Sequence, residues 1–143
     1  MARIKIDLPE QFHFSCHIPV RITDINYGGH VGNDTILSII HEARQQFLKS
    51  YGYTELEFEG VGTIMSDAGI EFKKELFYGD VVIASVAVSG FGKVSFDLYY
   101  KLEKETDGKK VLAAVAKTGM ACYDYKKKKI VIVPDKAKQK LSK

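Results

Sequence analysis

Apolar residues recur at helical spacing in one stretch only. Between 34 and 51, Ile36, Ile40, Ala43, Phe47 and Tyr51 follow one another at intervals of four, three, four and four, with Leu37 and Leu48 alongside. That spacing predicts one long helix with an apolar stripe. Asn33 or Asp34 offers a cap for its first turn, and Gly52 offers a stop. Elsewhere the period is two. Residues 12–22 read as a strand, with Pro19 marking an edge or bulged position. Ala68, Ile70 and Phe72 alternate with Asp67, Gly69, Glu71 and Lys73. Residues 81–89 are an apolar, Val-rich strand. Val94, Phe96, Leu98, Tyr100 and Leu102 alternate with polar neighbours, so one face is wet and one is buried. Thr106-Asp107-Gly108 predicts a hairpin turn, residues 111–125 another strand, and Lys126–Lys129 a solvated turn. Ile130–Val133 reads as a short last strand, and Pro134 opens a short terminal helix. A strand, a long helix and about five further strands make an α+β architecture. A lone helix with apolar residues on most sides implies a curved, largely antiparallel sheet of five to six strands wrapped around it.

Composition narrows the picture. The 143 residues, 27% of them charged, read as one globular domain over 1–143, with no internal repeat. No apolar run approaches the roughly 20 residues that span a bilayer, so no membrane partner is expected. The first residues carry no apolar leader, and the two cysteines, Cys16 and Cys122, form no CxxC. A disulfide scaffold and a zinc knuckle are thereby excluded, and a cytoplasmic setting is expected. The net charge of +3 hides an asymmetry: residues 126–143 hold eight Lys and one Asp. This basic C-terminal strand and tail serves solubility, or meets the phosphates of a ligand. The rest of the chain is acidic in balance and has no docking motif, so no nucleic-acid partner is expected.

The chemistry concentrates in Thr23–Asp34, where ionisable side chains sit in a loop with Gly28, Gly29 and Gly32 that runs into the helix start. A helix N-terminus offers unpaired N–H groups and the positive end of a dipole. Those groups can hold an oxyanion developing on a carbonyl. Glycines let the backbone approach a ligand. Asp24, His30 and Asp34 are of the types that hold or deprotonate a water. On spacing alone, the segment reads better as a tight loop with an N-cap, in which Asp34 and Asn33 only serve the helix.

Gly29-His30-Val31-Gly32-Asn33, followed by His41-Glu42-Ala43-Arg44, resembles the loop and helix of hot-dog-fold acyl-CoA thioesterases of the 4-hydroxybenzoyl-CoA thioesterase-like family. Gly79-Asp80-Val81-Val82, then Gly90, Gly92 and Ser95, extend the match. The resemblance implies a hot-dog fold and hydrolysis of an acyl-CoA or acyl-carrier-protein thioester. It implies no metal or redox cofactor, and a homodimer or homotetramer with sites at the interface and one joined sheet, in which Val81–Val88 is the strand expected to pair between two subunits. It implies that Asn33 supplies the backbone N–H that polarises the thioester oxygen. The family pattern Asp-x-Asp places its catalytic carboxylate second, where this chain has Asn26; the first Asp is kept as Asp24. Asn26 is no base, although it can orient a water or the carbonyl. The carboxylate duty then falls to Asp34 or Asp24, with Asp34 the first choice. It stands at the helix start beside Asn33, where the dipole favours its anion and suits it to positioning a water. The alternative is a non-catalytic acyl-CoA-binding or regulatory hot-dog protein. A hot-dog dehydratase lacks support, because no His-Phe-Pro-Gly-type segment appears.

Other candidates are weaker. Glu42, two turns after Asp34, is a possible helix base, or else pairs with Arg44 or contacts a second subunit. His13 and His17 are about 13 Å apart in an extended chain, too far to share a metal. His41 reads as packing or surface, and both cysteines as buried thiols. Ser66, Ser89 and Ser95 lack a nucleophile elbow, and no phosphate-binding glycine motif is present.

Overall fold

The computed structural model describes residues 3–142; Met1, Ala2 and Lys143, the last of these in the basic C-terminal stretch, lie outside the described residues. The elements run β1 (Phe14–Pro19), a 3-10 turn (Ile22–Asp24), α1 (Asn33–Ser50), β2 (Gly62–Phe72), β3 (Val81–Ser89), β4 (Ser95–Thr106), β5 (Lys109–Asp124), β6 (Lys129–Ile130) and α2 (Asp135–Leu141). All strand pairings are antiparallel, in the order β1-β3-β4-β5-β2, with β6 beside the end of β5. One long helix packed by a six-stranded antiparallel sheet is the expected hot-dog arrangement.

The helix forms where the period predicts it. Ile36, Ile39, Ile40, Ala43, Phe47 and Leu48 are buried, and they pack with Val82, Ala84, Val86, Phe96, Leu98 and Tyr100 of the sheet. Leu37 falls outside this stripe and is exposed. The cap differs from expectation. Gly32 is the N-cap and no side chain caps the turn, so Asn33 and Asp34 are the first two helical residues. Gly52 ends the helix as expected, at φ 83°, with its N–H donating to the Lys49 carbonyl at 2.9 Å.

β4 and β5 form a hairpin in which Thr106 pairs with Lys109. Asp107 (φ 55°) and Gly108 (φ 76°) make the two-residue turn, whose left-handed backbone suits Asp-Gly. β6 is shorter than Ile130–Val133: the Val131 N–H still reaches the Cys122 carbonyl, but the Val133 N–H turns to the Lys93 carbonyl. β3 is an inner strand, flanked by β1 and β4, so Val81–Val88 offers no free edge to another subunit. The free edges are β1 and β2. On β2 burial does not follow the alternation of Ala68, Ile70 and Phe72: Ala68 and Phe72 are exposed, Phe72 by 49%, while Gly69, Ile70 and Glu71 are half-buried on this edge strand. Ser66 sits at a bulge between Met65 and Asp67, where the Asp67 carboxylate accepts the Gly119 N–H at 2.8 Å.

Candidate active site

The loop before α1 closes as a small hairpin. Ile25 pairs with Val31, the Asn26 N–H donates to the His30 carbonyl at 2.9 Å, and the Gly29 N–H donates to the Asn26 carbonyl at 3.1 Å. Gly29 takes φ 83°, a backbone that side chains disfavour. The Asn26 Oδ1 accepts the Gly28 N–H at 2.8 Å, so its oxygen is used by the loop itself. The Val31 N–H donates to the Leu76 carbonyl at 2.8 Å, which ties the helix start to the β2–β3 connection.

That tie creates a groove of about 320 Å³ lined by His30, Asn33, Ile36, Lys73, Lys74 and Glu75, among others. At its helical wall, Gly32 brings no side chain to cap the turn. The Asn33 and Asp34 N–H groups have no hydrogen-bond partner among the described residues, whereas those of Thr35 and Ile36 both reach the Gly32 carbonyl. Gly32 also makes room for the site's polar groups. A Cβ there would stand 2.6 Å from Asp34 Oδ1 and 3.6 Å from the Asn26 amide nitrogen. Asn26 and Asp34 therefore both border the space over Gly32.

Asp24 lies elsewhere. It is buried, and its carboxylate accepts the Arg21 N–H at 2.8 Å and the Arg21 guanidinium at 3.3 Å. It lines a different groove, of about 440 Å³, between α1 and β1, with His17, Ser38, His41 and Glu42. Of the five sequence candidates, His30 and Asn33 share the groove at the helix start and Asn26 and Asp34 adjoin it over Gly32, while Asp24 faces away. Glu42 does not pair with Arg44; it accepts from Gln46 at 2.8 Å on the exposed helix face. Lys73 showed in the sequence only as a polar position of the alternating strand, and Lys74 and Glu75 had no signal beyond following it.

Both thiols are poor nucleophiles. Burial pushes Cys122 up to about 11, and burial, then the charge of Glu42, raises Cys16. No group of three or more potential metal ligands occurs among the described residues, and no described helix is long and apolar enough to cross a membrane.

The basic stretch is not at this groove. The Lys140 ammonium donates to the Tyr51 carbonyl at 3.2 Å, so α2 lies at the C-terminal end of α1. An 18-residue helix, roughly 27 Å long, separates that end from Asn33. Lysines there complement the helix dipole. Replacing Lys126–Lys129 by Gln is expected to leave kcat/KM on a CoA thioester, and its salt dependence, unchanged in steady-state assays.

A model of the thioesterase-like superfamily matches residues 20–141, and the chain belongs to that superfamily. A curated protein of Aquifex aeolicus (strain VF5), provisionally named an esterase, is 29% identical over 117 residues, covering 80% of this chain and 87% of that one. The 1,4-dihydroxy-2-naphthoyl-CoA thioesterase of Synechocystis superposes with a TM-score of 0.79 at 19% identity, covering 90% of this chain and 95% of that one. An aspartate-to-asparagine mutant of 4-hydroxybenzoyl-CoA thioesterase, complexed with 4-hydroxybenzoyl-CoA, superposes with a TM-score of 0.82 at 15% identity, covering 90% and 97%. Membership of the superfamily makes thioester hydrolysis the supported activity.

Proposed function

We propose that the chain hydrolyses an acyl-CoA thioester, with water attacking the carbonyl at the start of α1. The observation that carries this is the pair of unpartnered N–H groups on Asn33 and Asp34, at a helix start that Gly32 leaves uncapped, beside a groove. Water adds to the carbonyl carbon, and the oxygen that becomes negative is held by these N–H groups and the dipole end. The C–S bond then breaks, giving the acid and the free thiol. Asp34 and the Asn26 amide position the water from above Gly32. Lys73 and Lys74, both exposed on the groove wall, suit the phosphates of CoA better than an acyl-carrier protein's broad acidic surface. The setting is the cytoplasm.

The same proposal includes a homodimer or homotetramer. β2 is an 11-residue edge strand with Met65 42% and Phe72 49% exposed, a long apolar edge of the kind that proteins cover. Scattering is expected to give a mass of at least twice 16.0 kDa; a monomer at micromolar concentration would remove this part.

A panel of short, long and aromatic acyl-CoAs, read with a thiol reagent, tests the activity. Thiol release on at least one member is expected. Asn26 favours a second reading, a non-catalytic acyl-CoA-binding protein, and binding without thiol release across the panel supports it. Asn26→Asp restores a carboxylate in the loop, and is expected to raise turnover at least tenfold, within the range of a general base.

A further inference from the structure

We propose, on the hydrolase reading just given, that His30 takes the proton from the attacking water and that Glu75 holds the imidazolium that results. His30 Nδ1 lies 3.1 Å from the Val31 carbonyl oxygen. A carbonyl only accepts, so the ring proton sits on Nδ1 and Nε2 keeps its lone pair. Nε2 lies 3.9 Å from Glu75 Oε2, with the His30 side chain 31% exposed and that of Glu75 61%. That distance is too long for a hydrogen bond and short enough for an ion pair once the ring is charged. Both residues line the groove that Asn33 also lines. The ring is thus anchored on one nitrogen, free on the other, and backed by a carboxylate.

The alternative bases are each engaged or misplaced. The Asp24 carboxylate is taken by Arg21 and faces the α1–β1 groove. Asn26 carries no basic atom, and its oxygen accepts from Gly28. Asp34 lies outside the groove lining.

The step balances. As water oxygen bonds to the carbonyl carbon, one water proton moves to His30 Nε2. The tetrahedral intermediate expels the thiolate, and the imidazolium returns the proton to sulfur. Acid and thiol are the products, and His30 is neutral again. Glu75 touches neither substrate nor water and acts by positioning and charge.

The test is the pH profile of kcat on whichever acyl-CoA the wild type hydrolyses fastest. The charged groups around His30 are Glu75, Lys73 and Lys74 from the β2–β3 connection, with Asp24 and Asp34 on its own loop and helix start. Activity is expected to fall on the acid side, where a protonated His30 can no longer take the proton from water. His30→Asn places its amide nitrogen where Nδ1 stood, so the bond to Val31 and the loop are kept. It is expected to lower kcat about a hundredfold or more and to abolish that acid limb, with acyl-CoA affinity retained. Glu75→Gln removes the charge that favours the imidazolium, and is expected to move the limb to lower pH. Glu75→Asp restores it. A merely structural Glu75 would lower kcat without moving the limb. Full turnover or an unchanged limb in His30→Asn overturns the proposal and leaves the hydrolase reading standing. If His30→Asn does not fold, the unmoved limb in Glu75→Gln overturns it instead. A wild type that releases no thiol overturns both.

Discussion

Asn33→Pro is expected to lower kcat on a CoA thioester by about two to three orders of magnitude, with little change in thermal unfolding. Proline deletes a single atom of consequence here, the amide hydrogen. Asn33 is the first helical residue, the position at which helices accept proline because its N–H has no intrahelical acceptor. Gly32 before it has φ −70° and ψ 154°, the extended backbone that a following proline requires. The Asn33 side chain is exposed and has no hydrogen-bond partner among the described residues, so Asn33→Ala removes it at small cost and keeps the N–H. Loss of one donor to a developing oxyanion costs about 10² to 10³ in kcat. Steady-state kinetics on both variants, beside thermal melts, separate the roles. Proline should fail and alanine should work.

Arg44→Ala is expected to destabilise the fold by about 3 kcal/mol, the lower end of the range for breaking a buried ion pair. Arg44 is 5% exposed on the core face of α1. Its Nε donates to Glu55 Oε1 at 2.7 Å and its Nη1 to the Tyr100 hydroxyl at 3.3 Å. The Tyr100 hydroxyl in turn lies 2.7 Å from the Thr118 hydroxyl. This chain runs from the helix through β4 to β5, and it is fully bonded. Removing Arg44 leaves a buried phenol with Thr118 as its partner and a Glu55 carboxylate with only the exposed His41, 3.4 Å away, among its ion-pair partners in the described residues. Glu55 is a quarter open to water, which limits the loss. Tyr100→Phe should cost less, about 1–3 kcal/mol, because it strands only Thr118 and one guanidinium nitrogen. Denaturant unfolding of both variants measures this, and equal losses would show that the hydroxyl, not the ion pair, carries the network.

Elements with short-range causes were legible. The stripe from Ile36 to Leu48 needs only the helical period, and Asp107-Gly108 needs only a two-residue turn. The resemblance of Gly29–Asn33 to the thioesterase loop likewise placed the start of the helix. What escaped depends on long-range pairing. Val81–Val88 looks like an edge or a core strand equally well, and only the β1 pairing makes it inner. Asp24 and His30 lie six residues apart, yet the Ile25–Val31 bridge folds the loop between them and leaves them on different grooves. Glu75 enters the groove through the Val31–Leu76 hydrogen bond, across a separation that no local pattern encodes. Arg44 read as a possible partner for Glu42, whereas its partners Glu55 and Tyr100, with Thr118 behind Tyr100, come from three other segments.

The most direct measurement is a single turnover of an acyl-CoA in water enriched in oxygen-18, with enzyme in excess. Thioester hydrolysis by direct water attack at the α1 start predicts one free thiol per enzyme-bound ester and one oxygen-18 atom in the acid, with both signals lost in Asn33→Pro. An acid carrying no oxygen-18, or an ester that stays intact while bound, would contradict it.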